Sequence, residues 1–148
     1  MLKQCVAIVF LGLAELVAKP LFEMTPPMYA NLATQSMVGQ LPRKFKYEKM
    51  EILVTNARQE QNKVYLKGTT AQYKEIIQEL KKHKTLPEEL KKQCREFSQL
   101  SFVNQGVEYI LQVEAKNEKP IVVIYDKEAC LDDFNPQTKI FIAGRPLS

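Results

Sequence analysis

The chain has 148 residues, with 21 Lys plus Arg against 17 Asp plus Glu and a net charge of +4. That length is one ordinary domain, and that charge excludes a strongly basic nucleic-acid coat or a one-sign disordered chain. The 45% hydrophobic content is that of a globular domain, while three Cys, one His and no Trp leave little from which to assemble a multi-His or multi-Cys site.

The opening residues read as an address. Lys3 supplies a positive start, and Cys5 to Ala14 is an apolar run. That run is too short to cross a bilayer, which takes about 20 residues. Leu16 and Ala18 suit a signal-peptidase site. Residues 1–18 are therefore expected to be a secretory signal peptide cleaved after Ala18. Glu15 is unusual there, and an uncleaved anchor or an N-terminal core helix stays open as an alternative. Residues 19–148 are expected to form a single domain, periplasmic or secreted, with residues 131–148 as a peripheral tail and no transmembrane segment after cleavage.

The first helix is predicted at 27–40. Thr25 caps it, Pro26 and Pro27 open it, and Gly39 and Pro42 end it. Met28, Tyr29, Leu32, Ala33 and Ser36 or Met37 form its stripe. A strand follows, with Met50, Ile52 and Val54 alternating with Glu51, Leu53 and Thr55. Phe45 and Tyr47 alternate on the opposite parity, so a bulge or break is expected near Lys49. Arg58 to Lys63 is the turn into a second strand, Val64 to Lys67. Two helices are expected across the middle. One carries Tyr73, Ile76, Ile77 and Leu80 at i, i+3, i+4 and i+7; the other starts at a Thr85/Glu88 capping box and runs to about Phe97. Val107, Tyr109, Leu111, Val113 and Ala115 share one face of a third strand, Asn117 to Pro120 is the turn, and Ile121 to Tyr125 returns as a buried strand. Ile140 to Ile142 could add a short edge strand. The expected fold is α+β: an antiparallel sheet of two hairpins packed by helices, in the order α-β-β-α-α-β-β, with one disulfide.

That disulfide is expected between Cys94 and Cys130. Leu86, Leu90, Cys94 and Phe97 lie on one helical face, and Cys130 follows the apolar strand Ile121 to Tyr125, so both sulfurs point to the interior. In an oxidising compartment the bridge would stabilise the fold by about 4 kcal/mol.

Leu41-Pro42 before a strand hairpin, a helix-borne Cys94, Gly106-Val107-Glu108-Tyr109 opening a strand, and Cys130 after the last strand form a pattern. It resembles a loose group of small secreted or periplasmic bacterial proteins of unknown function. The resemblance covers about residues 28–131 and implies only the compartment and the disulfide. The usual Gly of the last hairpin is replaced by Asn117-Glu118-Lys119. Val107 to Glu114 is also similar in texture to cystatin strands. The inhibitory Gln-x-Val-x-Gly hairpin is missing, however, and the absence of Trp excludes the Pro-Trp loop.

Chemistry is sparse. His83 stands among Lys81, Lys82 and Lys84 at a helix end, which reads as a helix C-terminal surface residue favoured by the macrodipole and not as a catalytic base. Asp126, Glu128, Asp132 and Asp133 follow the last strand, but without a Gly-containing ligand loop they read as solvated surface. No metal site, cofactor or catalytic residue is predicted. Cations gather at Lys81, Lys82, Lys84, Lys91 and Lys92, a possible surface for an anionic partner, and at Arg43, Lys44, Lys46 and Lys49. No nucleic-acid module is evident. The expected function is an exported, non-enzymatic protein that binds another macromolecule in the envelope or outside the cell: an inhibitor, an immunity protein or a secretion-accessory factor. The alternatives are a small envelope hydrolase using carboxylates near Asp126, and a protein that binds an anionic surface.

Overall fold

Thr25 is extended, and its carbonyl accepts the N–H groups of Met28 at 3.0 Å and Tyr29 at 3.1 Å. Pro26 and Pro27 then fill the first turn, where a missing N–H leaves no bond unmade. The resulting helix, α1, spans Pro26–Val38 and ends at Gly39. The structure is a computed structural model and describes residues 23–47, 49–82, 92, 100–131 and 136–147.

Seven strands follow: β1 Arg43–Tyr47, β2 Met50–Glu60, β3 Lys63–Thr69, β4 Glu108–Glu114, β5 Ile121–Tyr125, β6 Ile140–Ile142 and β7 Arg145–Pro146. Between them lie the helices α2 Tyr73–Lys82, α3 Leu100–Asn104, α4 Lys127–Leu131 and α5 Pro136–Lys139. All seven strands form one sheet in sequence order.

This corrects the expected all-antiparallel pair of hairpins. The sheet is mixed, because β3 and β4 pair in parallel from Lys63↔Glu108 to Thr69↔Glu114, while every other neighbouring pair is antiparallel. The reason is the connection. A parallel pair needs a crossover of a dozen or more residues, and residues 70–107 supply one that carries α2 and α3. The join is fastened at both ends: Glu108 N–H donates to the Asn62 carbonyl and Thr70 N–H to the Glu114 carbonyl, each at 3.0 Å. Periodicity within a strand says nothing about which strand lies beside it, so this pairing was not visible in the alternation.

The element order α-β-β-α-α-β-β is corrected too, by one further strand at the start and two at the end. Phe45 and Tyr47 belong to their own strand, β1, which turns back on β2 with Tyr47 opposite Met50. The parity change near Lys49 is therefore a hairpin. The bulge lies further on, between Val54 and Asn56. At the other end Ile140 to Ile142 pair with β5, and β7 closes the edge. The disulfide is not among the contacts of the described residues, because Cys94 lies outside them. Cys130 is fully buried, and its sulfur is not a free thiol.

One sheet face is the core. Val54, Val64, Leu66, Tyr109, Leu111, Val113, Ile121, Val123, Tyr125 and Ile140 point into it and are nearly fully buried. The strand Ile121–Tyr125 is thus buried on alternate residues only; Val122 and Ile124 are half-buried on the opposite face. Helix α1 lies on β2 and β3 and buries Ala30, Ala33 and Met37. Two alanines there let the helix approach the sheet closely. Within the sheet, Gly68 lies close against β2: a Cβ there would be 2.8 Å from Ile52 Cγ2 and 3.3 Å from the Leu53 carbonyl. Ile76 and Leu80 of α2 and Val103 of α3 complete the same cluster. Before β4 the chain reverses at Gly106 with φ +91, where any larger residue would be strained and would press on Pro26. Asn117 takes the left-handed position in the β4–β5 turn with φ 62, which Asn tolerates better than most residues.

Candidate protein-binding surface

The sequence-predicted candidates separate once placed. Lys81 and Lys92 are exposed on helical backbone, and Lys82 is the last residue of α2. Lys84, Lys91, His83, Asp132 and Asp133 lie outside the described residues. Among the described residues no group of three or more His, Cys, Asp or Glu could hold a metal ion.

Asp126 has structural duties. One carboxylate oxygen, Oδ1, accepts the Ala129 N–H at 2.8 Å and so caps α4. The other, Oδ2, takes the ammonium of Lys139 at 2.7 Å. The pair is largely out of solvent, with side chains 11% exposed for Lys139 and 21% for Asp126. Glu128 joins from outside, 3.7 Å from Lys139 Nζ. Burial opposes the charge on Lys139, but the hydrogen bond and attraction from Asp126, with a smaller pull from Glu128, outweigh it and hold the ammonium above the usual lysine pKa. This cluster ties the end of β5 to the start of β6. Both Asp126 oxygens are engaged, which leaves neither poised as the acid or base of a hydrolase.

The exposed large apolar residues lie in the first third of the described chain. Helix α1 is apolar on its outer side as well as its inner one: Met28 is 52% exposed, Leu32 45% and Val38 54%. Met28 and Leu32 are one turn apart, so they sit together on the surface. Asn31 and Gln35 lie between them and Val38, hydrogen-bonded to each other at 3.0 Å. This corrects the predicted stripe. Met28 and Leu32 are expected inside, but the buried side of α1 is formed by Ala30, Ala33 and Met37, and Met28 and Leu32 face outward. The signal that could have found this is a helix carrying two separate apolar stripes, one of them rich in alanine.

The same helix leads directly into the cationic hairpin. Arg43 Nη1 donates to Gln40 Oε1 at 2.8 Å, and its guanidinium stacks 5.0 Å from the Phe45 ring. On the opposite face of the hairpin, Lys44 and Lys46 flank one carboxylate, Glu51, at 4.0 and 3.5 Å. Leu53, the fourth exposed large apolar residue, pairs across from Lys44. Farther along the sheet, cations are matched: Arg58 reaches Glu60 at 3.2 Å and stacks 4.2 Å over Tyr65, and Lys67 meets Glu114 at 3.5 Å.

Among the described residues no helix is long and apolar enough to cross a membrane. No family model matches the chain, and no curated protein matches it. Among solved structures it is similar to the pilotin of the Vibrio vulnificus type 2 secretion system, EpsS, at 14% identity and a TM-score of 0.46, over 70% of this chain and 88% of that one.

Proposed function

We propose that this chain is an exported, non-enzymatic domain that holds a protein partner, with α1 and the β1–β2 hairpin as the contact surface. The observation that carries the reading is the exposed large apolar residues of α1, Met28, Leu32 and Val38. Scattered single apolar residues on a surface need no explanation, but Met28 and Leu32, one turn apart on the same helix, form a patch. The patch is fringed by polar groups, Asn31 bonded to Gln35 and Gln40 to Arg43, as in the anatomy of a protein interface. Export rests on the leading residues 1–18. An inhibitor, an immunity protein and a secretion-accessory factor all act by holding a partner in this way.

The test compares capture from an envelope extract by the wild-type chain and by a Met28→Ser/Leu32→Ser variant with an unchanged circular dichroism spectrum. One protein held by the wild type and lost at least about tenfold by the variant supports the reading, since interface anchors contribute about 1–2 kcal/mol each. A partner held equally by both places the contact elsewhere. Capture of nothing by the wild type removes the binding reading.

A further inference from the structure

Resting on the reading that the domain holds a protein, we propose that the outer edge of β1 pairs with an extended, acidic segment of that partner, through the main chain of Lys44 and Lys46. Three observations place it there.

First, β1 ends the sheet: among the described residues no strand pairs with it on the side away from β2. Second, the ladder decides which groups face out. Tyr47 pairs with Met50 across a two-residue turn, so Tyr47, Phe45 and Arg43 are the positions that bond to β2. The N–H and C=O of Lys44 and Lys46 therefore point away from the sheet. They present an alternating set of two donors and two acceptors to an added strand.

Third, charge selects the occupant. Two ammoniums, Lys44 and Lys46, share the single carboxylate of Glu51, and Lys49 is exposed at the turn. Among the described residues, the edge thus carries more ammoniums than carboxylates. A second copy of this chain pairing edge to edge would set lysine against lysine, which destabilises a strand pair and is a common way of blocking self-association. An incoming strand with Glu or Asp on the Lys44/Lys46 face meets the opposite situation. The main-chain bonds supply affinity, and the charges supply selection and a faster encounter.

The test uses the full chain and two defined probes: a peptide of about ten residues alternating Glu and Val, and its counterpart alternating Lys and Val. The acidic peptide is expected to bind with a dissociation constant of about a millimolar or tighter, the range that a few main-chain hydrogen bonds support. The basic peptide is expected not to bind. Raising NaCl from about 50 to about 500 mM weakens the acidic complex several-fold. In NMR-detected exchange, the amides of Lys44 and Lys46 gain protection on binding. Lys44→Glu/Lys46→Glu weakens binding at least about tenfold. Lys46→Pro weakens it more than Lys46→Gln, because Gln keeps the outward N–H.

Absence of binding at millimolar peptide overturns the proposal. So does binding that protects other amides, or binding indifferent to the double charge reversal. Retention on phosphatidylglycerol vesicles, abolished by the same reversal and without peptide binding, overturns it in favour of a lipid surface. The two readings fail separately. Loss of the peptide result with capture by Met28 and Leu32 intact removes the β1 edge alone, whereas failure of the capture experiment removes the reading on which it rests.

Discussion

Replacing Tyr109 with alanine is expected to lower the unfolding free energy by about 3–5 kcal/mol, the range for deleting a buried aromatic ring. Tyr109 is 1% exposed in the centre of the sheet, on the strand that joins the two antiparallel halves. It pairs with Val64 on one side and with Tyr125, itself 3% exposed, on the other. Its removal leaves a void in contact with both halves, and the walls of that void are strands that cannot move independently. Against a typical total of about 5–15 kcal/mol, the loss brings the domain close to unfolding. Urea titration measures it as a lower midpoint at unchanged slope. Tyr109→Phe keeps the ring and removes only the hydroxyl, so it is expected to lose far less, about 1 kcal/mol. A Tyr109→Ala loss near 1 kcal/mol would mean that the ring is not a core ring.

The second large effect belongs to the Asp126–Lys139 pair. Asp126→Ala is expected to destabilise by about 2–4 kcal/mol: it removes the cap of α4 and leaves a largely buried ammonium without its partner. Asp126→Asn keeps an acceptor for the Ala129 N–H and so loses less. The pH dependence has a definite sign. Lys139 is held above its ordinary value of 10.5 in the folded chain, so folding retains a proton that the unfolded chain gives up first. The contribution is fully present below about pH 10.5 and is lost as pH rises through the higher folded value. Burial pushes the Tyr109 and Tyr125 phenols up as well, so they act in the same alkaline direction. The comparison that isolates the pair is wild type against Lys139→Met: their stability difference is expected to be constant from pH 7 to about 9.5 and to shrink above about 10.5. A difference that grows with alkalinity would contradict this arrangement.

Much of the fold could be read from local chemistry. Thr25-Pro26-Pro27 and Gly39 mark the ends of α1 to within a residue or two, and the alternation through Tyr109, Leu111 and Val113 gives the buried face of β4 directly. What escaped is what depends on partners distant in sequence. The parity of Phe45 and Tyr47 is consistent with a bulge or with a hairpin, and only the pairing of Tyr47 with Met50 decides. The parallel join of β3 to β4 depends on where a crossover of almost forty residues returns, and no residue in either strand encodes that alone.

The site was less legible than the fold. The carboxylates around Asp126 look like chemistry in sequence because their spacing is dense. In the structure the lysine that neutralises Asp126 lies thirteen residues away, in a segment expected to be a peripheral tail. Met28 and Leu32 carry the opposite lesson. Hydrophobicity alone assigns them to the core, but the side of α1 that meets the sheet is formed by Ala30, Ala33 and Met37 instead. Helix faces are chosen by fit as well as by polarity.

The proposed contact surface is the first third of the described chain. The most direct measurement is amide hydrogen exchange along the whole chain, free and in complex with the captured partner. Slowed exchange concentrated in residues 26–38 and 43–47 is the predicted result. Slowed exchange concentrated in residues 126–142, with those two segments unchanged, would contradict it.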